Sequence, residues 1–310
     1  MAPIALAIAP IFLLICTGFG LRRAGFPSDS FWVQNDRLVF YVLMPALFFI
    51  RIAEADLSDP GLVPYGATLF AGFIAATLAG MAAARALNQG GATSTSVIQG
   101  SNRFNTFIAL ALAEALYGPA GLQMAVLGAV LLLPFVNLTC VGLFTIYVPK
   151  DGTRRLPHAL VTLATNPLLL AILAGIAVNL AGLPMPSAIR ETLNLLGQAA
   201  LPIMLLSVGA SLKLKGLRTE IAPILAASTV KLAIYPAAIL ATALALDLPP
   251  LAAQTALIYG ALPTGVAAYT LARQMGGDGP LMAALITIQT LLSFALIPLW
   301  LSLGAHLLSP

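Results

Sequence analysis

Apolar residues fill this chain in runs of about 20, a length that crosses ~30 Å of hydrocarbon. Short clusters of charge, glycine and proline separate the runs. The pattern predicts ten spans, at residues 2–21, 34–53, 63–86, 93–117, 120–147, 160–181, 193–213, 221–246, 250–273 and 280–306. Backbone polar groups in lipid must be satisfied within the element, so the spans are helices. The alternating strand pattern of a membrane barrel is absent. The expected fold class is an all-α polytopic membrane protein with loops too short to hold a soluble domain.

Composition points the same way: 60% of the 310 residues are hydrophobic and 8% charged, against about 25% charged in soluble domains. Mean hydropathy is +0.97. The first run, MAPIALAIAPIFLLICTGFG, has no basic segment before it and is expected to be a span rather than a cleaved signal. Cys16 and Cys140 lie inside apolar runs and form neither a disulfide framework nor a metal spacing. The formal charge of +4 belongs to loops, not to a nucleic-acid surface. Eleven of fifteen basic residues fall at odd-numbered loops: Arg22, Arg23, Arg37, Arg85, Lys150, Arg154, Arg155, Lys213, Lys215, Arg218 and Arg273. The even loops hold Arg51 and Arg190 beside Glu54, Asp56, Asp59, Glu191 and Asp247. The positive-inside rule then places odd loops in the cytoplasm and both termini on the other side.

The chain also matches itself. At an offset of 158, Thr106 falls on Thr264, Ala109 on Ala267, Gly118 on Gly276 and Asn105 on Pro263; at 157, Pro45 falls on Pro202. Chance is the competing explanation, since Gly, Pro and Ala are abundant. Offset, span count and charge alternation agree on two copies, residues 1–149 and 159–310. Five spans per copy is odd, so the copies enter the membrane from opposite sides, as in many secondary transporters.

Two repeat-related spans are weakest at mid-membrane. Span four carries Asn102, Arg103, Asn105 and Thr106 there, and span nine carries Pro263, Thr264 and Gly265. Proline removes a helix donor, glycine costs about 1 kcal/mol against alanine, and Asn and Thr can satisfy freed backbone groups. Half-helices starting near Thr106 and Gly265 would aim N–H groups at an anion. The bland alternative is a proline kink plus an ordinary interhelical hydrogen-bond cluster.

Two cations lie within spans. Arg103 either pairs with an anionic substrate or caps the first half-helix. Lys231 either neutralises a site, replaces a bound cation, or snorkels along an apolar wall. Asn137 in span five either faces the crossing or bonds a neighbouring helix. Gln289 and Thr290 in span ten are weaker candidates. Glu114 is expected to be solvated. His158 and His306 have no ligand partner in sight. Pro45 and Pro202 shape spans two and seven. No phosphate loop, HExxH or intramembrane catalytic pair occurs, so neither ATP-driven transport nor an enzyme is expected.

QGSNRFNTFIALALAEALYG in span four and ALPTGVAAYTLARQMGGD in span nine resemble the auxin efflux carrier family, supported by RLVFYVLMPALFF and LPIMLLSVGASL in spans two and seven. The resemblance covers nearly the whole chain. It implies scaffold helices 1, 2, 6 and 7, mobile transport helices 3–5 and 8–10, and broken helices 4 and 9 crossing at the substrate site. By position, Arg103, Asn105 and Thr106 match one crossing segment, and Pro263 and Thr264 the other. Plant members have a proline at the helix-4 crossing. NRFNT has none, which implies a gentler first break.

The function expected is secondary transport of a small organic anion, a dicarboxylate or an auxin-like acid, by an elevator shift in a bacterial inner membrane. The expected ligands are Asn102, Arg103, Asn105, Thr106, Asn137, Pro263, Thr264 and Gly265, with Lys231 and Gln289 in coupling or charge compensation. No cofactor is expected. Coupling to sodium or protons, or uniport, stays open, and the resemblance implies a homodimer through the scaffold. A non-transporting sensor on the same fold is the alternative.

Overall fold

In a computed structural model, residues 2–148, 165–213 and 220–308 are described. Lys150, Arg154, Arg155, His158, Lys215 and Arg218 lie outside them. Every regular element among the described residues is a helix, and none is a strand. The helices are α1 (Ala2–Arg23), α2 (Asp29–Leu38), α3 (Met44–Ala53), α4 (Leu62–Leu87), α5 (Gly91–Asn102), α6 (Thr106–Tyr147), α7 (Pro167–Leu180), α8 (Ser187–Ser211), α9 (Ile221–Thr229), α10 (Tyr235–Ala245), α11 (Pro250–Ala261), α12 (Ala267–Met275) and α13 (Gly279–Leu307).

Helix limits follow local chemistry. Asn166 and Asp278 cap α7 and α13, each side-chain oxygen accepting a backbone N–H two or three residues on, the usual cap bond. Asn88 and Gly276 end α4 and α12 in the left-handed region, where Asn and Gly are tolerated best. Gly118, with φ 63 and ψ −154, turns the chain inside α6, between the fourth and fifth predicted spans.

Among the described residues, six stretches are long and apolar enough to cross a membrane, and the 57 residues Gly91–Tyr147 form one of them. The predicted spans two and eight are not simple α-helices. A π-turn, Val39–Leu43, joins α2 to α3, and another, Val230–Ile234, joins α9 to α10. Each lies just before a proline, Pro45 or Pro236. A π-turn lets the ladder absorb an extra residue, a feature that apolar length alone does not announce.

The helices sort into two groups by what they touch. α1 packs on α8, and α3 on α7 and α8. α4 packs on α5, α10 and α11, and α11 on α13. The first seam is backbone-tight: a Cβ on Gly18 would meet the Leu206 carbonyl at 2.0 Å, and one on Gly209 the Ile15 carbonyl at 1.8 Å. Small residues that let backbones approach are the usual means of holding helices together in lipid, where apolar burial gives little. α6 touches both groups, and Phe12 of α1 meets Phe294 of α13 with ring centroids 3.6 Å apart.

Prolines leave carbonyls unpaired, and side chains fill them. Pro236 has no N–H for Leu232, and the Trp300 indole N–H donates to that carbonyl at 2.8 Å. The same logic operates at the crossing.

Candidate functional site

The chain breaks between α5 and α6 and again between α11 and α12, and the two breaks touch. The Asn105 N–H donates to the Pro263 carbonyl at 2.9 Å. A Cβ on Gly265 would lie 2.6 Å from the Phe104 carbonyl oxygen, so only glycine permits this approach. Phe104 stands edge-on to Tyr259 with ring centroids 5.0 Å apart. The Tyr259 hydroxyl donates to the Ala125 carbonyl.

Each break has its own repair. Pro263 cannot donate to the Tyr259 carbonyl one turn back. The Lys231 side-chain nitrogen donates to it instead at 3.4 Å and sits 3.9 Å from the Tyr235 ring centroid. Lys231 is fully buried. On the other side, the Gly100 carbonyl near the end of α5 accepts from the Thr264 hydroxyl at 2.8 Å and from Gln289 Nε2 at 2.9 Å. Gln289 Oε1 in turn accepts the Thr264 N–H at 3.0 Å. Gln289, a weaker candidate from sequence, thus ties both breaks to α13.

Asn105 is the N-cap of α6. Its Oδ1 accepts from the Phe107 and Ile108 N–H groups, so two donors expected to face an anion are already occupied. Asn105 Nδ2 is buried without a partner among the described residues. Thr106 begins α6 as expected, whereas the second half-helix begins at Ala267, two residues beyond Gly265.

Asn102 and Arg103 turn elsewhere. Asn102 Nδ2 donates to the Thr77 hydroxyl at 3.1 Å, and its Oδ1 accepts from the Cys140 thiol at 3.7 Å. Arg103 Nη2 donates to Asn137 Oδ1 at 2.9 Å, while Nη1 has no partner among the described residues. Both residues brace α5 against α4 and α6. The described ion pairs are Arg22–Asp29 and Arg190–Glu54, so neither Arg103 nor Lys231 has a carboxylate partner there. Thr290 bonds its own helix at Ile286. Glu114 is half-buried, less solvated than its sequence position suggests.

The crossing itself is closed: Asn105 is 2% exposed and Thr264 and Gln289 are fully buried. Beside it, at Val266, lies a cavity of about 810 Å³. Val266, Tyr269, Thr270 and Arg273 of the second half-helix line one wall, at the spacing of a single helical face. Ala268 and Ala272 are buried on the opposite face. The other wall carries Arg22, Arg23, Asp36 and Lys213, from α1, α2 and the residues after α8. Four cations thus share the space with one carboxylate. Sequence reading assigned the cations separately to loops. No local motif unites positions so far apart, and the alternation of Tyr269, Thr270 and Arg273 with buried alanines was the available signal.

Apolar crossing helices with two touching breaks and a charged cavity beside them define a multi-pass membrane transporter. The chain belongs to the membrane transport protein family, that of the auxin efflux carriers, which matches residues 3–301. It is 26% identical over 300 residues to an uncharacterized transporter of Methanothermobacter thermautotrophicus, covering 94% of this chain and 96% of that protein. It is also 26% identical over 314 residues to a Rhizobium meliloti protein named "Putative malonate transporter", covering 95% and 94% respectively. An uncharacterized transporter of Methanocaldococcus jannaschii is 24% identical over 305 residues. Family and relatives alike are transporters, not enzymes.

Proposed function

We propose that the chain carries small organic anions, dicarboxylates foremost, by an elevator-type exchange of access. One observation carries this reading: the second half-helix begins at the touching breaks and runs along a cavity with four cations and one carboxylate. The N-terminus of a half-helix and the cations favour negative charge. The relative named for malonate agrees in substrate class.

In this reading the chain crosses the membrane ten times as two inverted five-helix copies. The packing supports the duplication, because α1 on α8 and α3 on α7 are equivalent pairs under exchange of the copies. The group α1–α3, α7 and α8 is the scaffold, and the rest shifts against it. Asn105 Nδ2 is the substrate donor at the crossing, with Thr106 beside it. Thr264, Gln289, Pro263 and Gly265 hold the crossing rigid. Lys231 occupies a freed carbonyl that a cation would otherwise fill, and no coupling carboxylate lies at either break. The cavity faces the odd-loop side, assigned to the cytoplasm by its charge, with a scaffold-mediated dimer in a bacterial inner membrane.

Purified protein in proteoliposomes, offered a panel of mono- and dicarboxylates with and without proton and sodium gradients, tests the reading. Saturable dicarboxylate flux is expected. Binding with no flux would make the protein a sensor, and neither binding nor flux of any carboxylate would overturn the assignment.

A further inference from the structure

Lys213 belongs to both groups of helices at once. It follows α8, whose packing lies with α1 and α3. Its backbone N–H donates to the Thr287 hydroxyl of α13 at 3.1 Å, and the same hydroxyl approaches the Lys213 carbonyl at 3.4 Å. Its ammonium donates to the Tyr269 hydroxyl of α12 at 3.2 Å and lies 4.4 Å from that ring's centroid. Lys213 therefore ties the first group to α12 and α13. The ammonium also faces the cavity that Arg22, Arg23 and Arg273 line.

The chemistry of this tie is lopsided. A tyrosine hydroxyl is a neutral acceptor. A carboxylate offers the same ammonium a full opposite charge, a stronger attraction than the dipole of a hydroxyl gives. While Lys213 holds Tyr269, its charge is only partly available to an incoming anion; once α12 draws away, it is fully available. An anion consequently binds the separated arrangement more tightly than the tied one, and a ligand shifts an equilibrium by just that difference.

We propose that Lys213 and Tyr269 form an anion-released latch between scaffold and transport group, so that substrate charge itself licenses the movement. The inference rests on the anion-carrier reading above. It gives Lys213 a positioning role besides attraction, and it assigns Tyr269 a role that no substrate contact requires.

The test reads position and flux separately. Leu183 after α7 and Leu246 after α10 are 59% and 44% exposed and belong to different groups. Spin labels on Leu183→Cys and Leu246→Cys, in a chain with Cys16→Ser, report the separation of the groups in proteoliposomes. Malonate is the probe anion. The otherwise unaltered chain is expected to show one dominant distance without malonate and a second population with it. Tyr269→Phe keeps the ring and loses the acceptor, and is expected to populate the second distance without anion. Lys213→Met does the same and raises the malonate KM by about tenfold, the equivalent of 1.4 kcal/mol. Lys213→Arg, which keeps charge and donor, restores the anion-free distance. Unchanged anion-free distances in both Tyr269→Phe and Lys213→Met would overturn the latch even if malonate is transported. Failure of every carboxylate to be bound or carried would overturn the anion reading, while the anion-free distances would still decide whether the tie exists.

Discussion

At Pro263 a helix ends because the ring has no N–H to offer Tyr259, and a lysine from another helix supplies one. At Asn105 a helix starts because a side chain supplies the acceptor that its first N–H groups lack. The two segments meet at the Asn105–Pro263 and Thr264–Gly100 hydrogen bonds and at one glycine, yet they are unlike in kind. The proline break is covalent and fixed, and its cost is met from outside by Lys231. The asparagine break is a bond the chain makes with itself, and half of that side chain remains free. A pair of breaks thus divides its labour: one holds still, and the other keeps a donor in hand.

The largest blow to this arrangement is Gly265→Ala. The added carbon would sit against the Phe104 carbonyl, and overpacking of this kind costs about 3 kcal/mol. Loss of flux and a lower melting temperature in detergent are expected together. Pro263→Ala separates the two properties. It returns a donor to Tyr259 and straightens the segment, so stability should hold within about 1 kcal/mol while flux falls about tenfold, or 1.4 kcal/mol of barrier. Equal flux in that variant would show that the break is not needed.

Asn105 can be dissected more finely. Asn105→Ala removes cap and donor, costing about 1 kcal/mol of stability and most of the uptake. Asn105→Ser keeps a capping oxygen and loses only the amide donor. It should melt like the parent and still transport poorly, and normal malonate uptake by this variant would reassign Asn105 to capping alone. The smallest effect belongs to Arg103→Gln, which loosens the tie to Asn137 by about 0.6 kcal/mol, the usual scale of such bonds in membranes. Thermal unfolding should register it and substrate KM should not. A large rise in KM would bring Arg103 back to the substrate.

The breaks were legible in the sequence because proline, glycine and a polar run declare themselves locally. The turn at Gly118 was legible for the same reason. Lys231 and Gln289 stood out as buried polar residues, but their tasks depend on which carbonyls other helices leave free. The π-turns before Pro45 and Pro236 escaped notice, since the surrounding residues are apolar in either helix type. Arg22, Lys213 and Arg273 were visible as charges, and their convergence was not, because it arises only when α1, α8 and α12 are packed. Asn102 and Arg103 show the reverse limit: adjacency to Asn105 suggested a shared target, while their side chains bond Thr77, Cys140 and Asn137 of α4 and α6.

The indole of Trp300 and the side-chain nitrogen of Lys231 stitch α13 and α11 to two adjacent residues of one π-turn, Leu232 and Lys231. Shear between these helices in lipid would expose carbonyls to a medium with nothing to offer them. Under the elevator exchange proposed above, these two pins would fasten three neighbours at their weakest points and leave slippage to the boundary where Lys213 stands.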